Sequence, residues 1–221
     1  MLKKQIAAIV AVLACAGSAH AAYLPVGPVN DVSYNTVVNN WGWSLISSSN
    51  YGSNVSIADL FAGHGDYVMI GAMHKDSGVI DVLSGALYTD VTTYTTQNAV
   101  HVANGTEWYF NALSMGFAGL GDTVCQTTAD TCGMSERDRL SWHTTTQANT
   151  WAQTDAVAPS YVFNGWRSGA NVWIYDNTDW TRVVFTASDL ADPASQVPEP
   201  ASLGLVGLGL AALAMRRRKS R

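Results

Sequence analysis

The sequence predicts an all-β exported domain, a β-sandwich or jelly roll, followed by one C-terminal hydrophobic helix. Three observations carry this. Short apolar or alternating runs recur between turns rich in Gly, Asn, Asp and Ser, as half-buried strands require. No long stretch shows the 3.6-residue periodicity of an amphipathic helix. The composition is low in charge (13% Asp, Glu, Lys and Arg) and carries 19 glycines and eight tryptophans, which suits short strands joined by tight turns.

The elements follow in order. Lys3 and Lys4 form a positive n-region, Ile6 to Ala14 an apolar h-region, and Ala19-His20-Ala21 a small-residue cleavage site. Residues 1–21 therefore read as a secretory signal peptide cut after Ala21. Val12 to Cys15 loosely resembles a lipobox, which would instead leave a lipidated Cys15; Leu13 is unusual in that position, and the conventional site lies downstream. Residues 22–188 form the β-rich domain. Its predicted strands are Asp66 to Met73, Gly78 to Tyr88, Thr106 to Phe110, Arg139 to His143 (alternating, hence half-buried), Asn171 to Tyr175 and Trp180 to Thr186. The last two are predicted to form a hairpin over Asp176-Asn-Thr-Asp179. Asn54 to Ala62 has room for a helical turn, Ser44 to Asn54 reads as a long loop, and no fixed-period repeat suggests a solenoid or propeller. Residues 189–197 are a linker.

The tail, residues 198–221, has three steps: Pro198-Glu199-Pro200, an uncharged apolar run over 201–215, and a basic cluster of Arg216, Arg217, Arg218, Lys219 and Arg221. The prolines keep the first step extended and accessible. The 15-residue run would span about 22 Å as a helix, short of the roughly 20 residues that cross a bilayer comfortably. The cations resist translocation and hold the C-terminus in the cytoplasm. In combination these steps resemble the PEP-CTERM sorting signal of Gram-negative bacteria. The resemblance implies an exosortase-type membrane transpeptidase as partner, transient insertion in the inner membrane, and then release to the envelope or exterior. By the same resemblance, exopolysaccharide and biofilm matrix are the expected surroundings. An ordinary C-terminal membrane anchor is the competing reading. The resemblance covers only the tail and implies nothing about the exported domain.

Seven of the 12 lysines and arginines lie in the two terminal signals, leaving Lys75, Arg137, Arg139, Arg167 and Arg182 against 16 acids over residues 22–197, a net charge of −11. So acidic a surface excludes nucleic acid as a partner. Cys125 and Cys132, an even pair in an exported domain, read as a disulfide closing a small loop.

No catalytic residue, cofactor or metal site is expected. Nucleophile-elbow, P-loop and dinucleotide fingerprints are missing. Ser141 and His143 share a strand face, but no acid is identifiable to complete a triad, and a glycosidase-type carboxylate pair cannot be picked from so many acids. His64 and His74 fall at opposite ends of a predicted strand, too far apart for one ion. Trp142 and Trp173 are assigned to the core. Trp41, Trp43 and Trp166, beside glycines and polar loops, are the candidates for glycan contact. The expected role is thus non-catalytic, with a carbohydrate-binding module as the alternative and a glycan-acting hydrolase as the third reading.

Overall fold

The computed structural model describes residues 21–126, 130–148, 158–175 and 177–191, with every element in the unit that ends at Leu190. The protein is mostly β, in two antiparallel sheets. The first has the order β1 (Val29–Ser33), β5 (Val79–Leu87), β4 (Tyr67–His74), β12 (Trp180–Ala187) and β2 (Ser44–Asn50). The second runs β11 (Asn171–Val172), β10 (Tyr161–Ser168), β9 (Leu140–Thr145), β8 (Ser114–Gly119), β7 (Thr106–Phe110) and β6 (His101–Ala103), with β3 (Val55–Ser56) on β10. Among the described residues helix is confined to single turns: Ile57–Leu60, capped by Ser56 Oγ accepting from the Asp59 amide, Tyr88–Val91, and a π-helical turn at Thr36–Asn40.

One apolar cluster is drawn from both sheets. Val68, Ile70, Ala72, Val82, Ala86 and Val184 from the first meet Trp108, Phe110, Met115, Phe117, Leu140, Trp142 and Val162 from the second. These residues alternate along their strands, as one face of a pleated sheet demands. The opposite face of the first sheet (Met69, Ile80, Leu83, Val183, Phe185) is buried too, under Ala22, Val37 and Trp43 of the N-terminal segment. That is why β4 and β5 read as near-continuous apolar runs.

Several predicted strands recur with shifts of a residue or two, and Thr106–Phe110 matches at both ends. The Asn104-Gly105 pair turns β6 into β7 with both residues at positive φ (47° and 69°), the geometry such a tight hairpin needs.

Three expectations require correction. Ser44–Asn50 is a strand, not a loop: its polar residues sit on a partly exposed edge and its backbone ladders onto β12. Asn171 to Tyr175 is a strand only to Val172, and it pairs with β10, whereas Trp180–Ala187 joins the other sheet. The residues between them therefore cross from sheet to sheet and make no hairpin. Gly116 lies in β8, where a Cβ would run into the Leu140 carbonyl, so glycine is what lets β8 and β9 approach. Finally, β9 is buried along its whole length rather than half-buried, because both faces of the second sheet are covered.

The C-terminal hydrophobic helix expected over 201–215 falls outside the described residues. Among the described residues no helix is long and apolar enough to cross a membrane.

Candidate functional site

The outer face of the second sheet carries polar side chains: Tyr109, Ser141, His143, Arg139 and Arg167, all at most 1% exposed. What covers Ser141 and the two arginines is the connection from β8 to β9, which carries the disulfide between Cys125 and Cys132 (Cα–Cα 5.2 Å). Asp130, itself fully buried, organises this cover. Its Oδ2 accepts from Arg139 Nη1 at 2.7 Å, and its Oδ1 accepts from the Cys125 and Cys132 amides at 3.2 and 3.3 Å. Its carbonyl accepts from Trp166 Nε1 at 2.8 Å, and its amide donates to Ser141 Oγ at 3.3 Å. Arg167 donates to the carbonyls of Cys132, Gly133, Glu136 and Gly169. Arg139 also reaches Glu136 at 2.5 Å and Asp122 at 3.3 Å.

Three of the five cations of the exported domain are thus buried, the third being Arg182. It donates to Ser49 Oγ and to the carbonyls of Asn50, Tyr51 and Ser53. Burial pulls its pKa down to about 10, since the contacts that oppose desolvation are carbonyl dipoles and no carboxylate. Sequence reasoning counted these arginines as surface charge. No local signal marks a buried arginine; its burial is set by long-range packing.

Beyond the covered polar region lies an aromatic group. His143 is buried and flanked by Phe163 (5.8 Å between ring centroids), Trp166 (6.1 Å) and a nearly parallel Tyr175 (5.9 Å, 20°). Desolvation lowers the His143 pKa to about 4, so the ring is neutral at physiological pH. Trp173 packs edge-on to Trp166 (5.9 Å, 89°), and Tyr175 does likewise (5.4 Å, 70°). Trp173 is 58% exposed and Tyr175 40%.

Both have positive φ, 59° and 27°, a region that costs a bulky residue on the order of 1–3 kcal/mol. Ile174 between them turns inward against the core and donates its amide to the Trp166 carbonyl at 3.2 Å, while Gly165 N–H donates to the Tyr175 carbonyl at 2.9 Å. The chain is held in a sharply twisted path that drives one side chain inward and leaves its two aromatic neighbours out.

The sequence-predicted tryptophans fall differently from expectation. Trp43 is 1% exposed, with Nε1 donating to the Tyr23 carbonyl at 2.7 Å, and Trp166 is 6% exposed; each is buried because its indole N–H has found a backbone acceptor. Trp41 is half-buried against Tyr23 (5.4 Å, edge-on). Trp142 is in the core, as assigned, donating to Tyr51 Oη at 3.2 Å. Trp173 was assigned to the core and is instead the most exposed tryptophan among the described residues: the strand that would have carried it inward ends at Val172.

Ser141 and His143 do share a face, but both are sealed from solvent. His64 stacks on Tyr88 at 3.5 Å, and His74 packs edge-on to Trp180. Among the described residues the carboxylates that converge closely are Asp122, Glu136 and Asp138, with ligand atoms within 4.8 Å of one another. Arg139 already neutralises two of them. Burial and the adjoining Asp138 push the Asp122 carboxyl up from its ordinary value.

Ala21 lines a cavity of about 380 Å³ with His64, Thr186 and Asp189, and Ala22 pairs with Leu190 through its amide on the Asp189 carbonyl (3.0 Å). Residues 22 and 190 therefore lie side by side. Ala19, Pro198, Glu199, Pro200, Arg216, Arg217, Arg218, Lys219 and Arg221 lie outside the described residues.

Residues 196–219 match the family model of the PEP-CTERM protein-sorting motif. The chain carries a PEP-CTERM sorting signal. This motif is associated with processing by an exosortase, a membrane enzyme, and implies export through the envelope. No curated protein and no solved structure matches the chain.

Proposed function

We propose that this is an exosortase-sorted envelope or extracellular protein whose exported β-sandwich acts without catalysis, by contact with the cell surface or the biofilm matrix. The observation that carries the reading is the PEP-CTERM motif over 196–219. In this scheme the signal peptide directs secretion and the 201–215 span inserts transiently in the inner membrane. The basic cluster stays cytoplasmic, and the exosortase cuts near Pro198-Glu199-Pro200. Exopolysaccharide is the proposed surrounding polymer. The shared apolar cluster of the two sheets supports the sandwich. The burial of Ser141 and His143 removes that pair as a candidate nucleophile and base, since neither can meet a substrate without solvent access.

Pro198→Ala combined with Glu199→Ala tests the sorting step. Intact mass should show the wild-type chain released, starting near Ala22 and ending near Pro198 or joined there to another molecule. The double variant should remain membrane-bound with Arg216–Arg221 attached. Normal maturation of the double variant would sink the proposal. A second reading, a carbohydrate-binding module, is favoured by the exposure of Trp173 and Tyr175.

A further inference from the structure

We infer that Trp173 and Tyr175 form a binding platform for an uncharged glycan, on the sheet face that also buries His143 and Trp166. This rests on the second reading above and gives it a site and a ligand class. The platform is built in advance. Trp166 is fixed by its indole N–H on the Asp130 carbonyl and braces both exposed rings edge-on, and His143 lies nearly parallel to Tyr175. Rings held this way lose little freedom on binding. The left-handed backbone at residues 173 and 175 keeps them outward while Ile174 anchors the segment. Strain of this kind persists only where the surrounding structure enforces it. Half-buried Asn164, next to Gly165, and exposed Asn177, two residues past Tyr175, can offer amide donors and acceptors.

Size and charge select the ligand. Two exposed rings braced by a third are far smaller than the roughly 800 Å² per partner of a stable protein interface. They suit one or two sugar rings, whose C–H faces pack on aromatic planes while their hydroxyls need nearby amides. The exported domain carries a net charge of −11. Its exposed cations are Lys75 and Arg137, and Arg137 is engaged by Asp31 at 2.7 and 2.8 Å. Buried Arg139, Arg167 and Arg182 cannot reach a ligand. A uronic-acid or sulfated polymer would meet net repulsion that Lys75 alone offsets little, so the platform selects neutral chains.

Cellohexaose, mannohexaose and hexagalacturonate, titrated calorimetrically into the purified full-length chain, provide the test. At least one neutral hexaose should bind saturably. Trp173→Ala and Tyr175→Ala should each weaken it about tenfold or more, with Trp41→Ala unchanged and hexagalacturonate binding at least about tenfold more weakly. The replaced rings are exposed, and unchanged near-ultraviolet circular dichroism would verify folding. No saturable binding of either neutral hexaose, equal affinity for hexagalacturonate, or full affinity in the Trp173→Ala, Tyr175→Ala double variant would overturn the inference. So would Trp173-dependent binding to phosphatidylcholine vesicles in place of sugar. The Pro198→Ala, Glu199→Ala variant should bind the hexaose normally, which separates failure of this inference from failure of the sorting step.

Discussion

Replacing Asp130 by asparagine should be among the most damaging isosteric changes in the exported domain. The side chain is fully buried and accepts from Arg139 Nη1 at 2.7 Å and from two backbone amides at 3.2 and 3.3 Å. Asparagine keeps one acceptor oxygen but turns an amide NH₂ toward donors already in place. It also removes the negative charge between two buried guanidiniums, since Arg167 Nη1 lies 3.8 Å from the same oxygen. Removing one member of a buried pair costs about 3–5 kcal/mol, a large part of the roughly 5–15 kcal/mol that holds a domain folded. With a urea m-value near 2 kcal/mol/M, the midpoint should fall by about 1.5–2.5 M. Tryptophan fluorescence in urea would follow it. Asp31→Asn is the control: it breaks an ion pair to Arg137 whose partners are 57% and 52% exposed, and its midpoint should not move. A loss of stability below about 1 kcal/mol for Asp130→Asn, the scale of a surface pair, would refute the view that Asp130 holds the disulfide-bearing connection onto the sheet.

Three other outcomes are expected. Cys125→Ser with Cys132→Ser should cost about 2–3 kcal/mol by the loop-entropy relation for so short a loop, read as a lower urea midpoint; an unchanged midpoint would mean that the Asp130 contacts alone order the connection. Gly165→Ala should destabilise by about 1–3 kcal/mol or more, because its Cβ would enter the Tyr51 ring, and full stability would show that the core relaxes freely there. His143, with its pKa lowered from 6.5 to about 4 by burial, makes the unfolded chain the better proton acceptor between those values. Stability should therefore be fully present above pH 6.5 and decline by about 3 kcal/mol as pH falls to 4. His143→Phe should flatten that slope in urea midpoints measured across the window. Asp81 and Asp122 have carboxyls raised by burial and act in the opposite sense, so the difference between the two proteins isolates the histidine.

The sequence by itself determined what depends on local order. The sorting tail was legible because a proline patch, an apolar run and a basic end act through composition and succession along the chain, and no folding is needed to read them. Strands such as β4, β5, β7 and β12 were legible for the same reason: their period and bounding turns are local. The Cys125–Cys132 loop needed only spacing and compartment. Tertiary structure alone decided which faces are covered. The alternation of Ser141, Trp142 and His143 is identical whether the polar side meets water or a covering loop. Only the folded structure shows that Ser141 meets the β8–β9 connection at Asp130 and His143 meets the rings of Phe163, Trp166 and Tyr175. The same holds for the tryptophans. An indole is buried where a distant carbonyl can take its N–H, as Asp130 does for Trp166 and Tyr23 for Trp43. It is left exposed where the backbone turns under it, as at Trp173. These partners lie up to 36 residues away, and contacts over that separation are set by the assembled sheets rather than by neighbours in the chain.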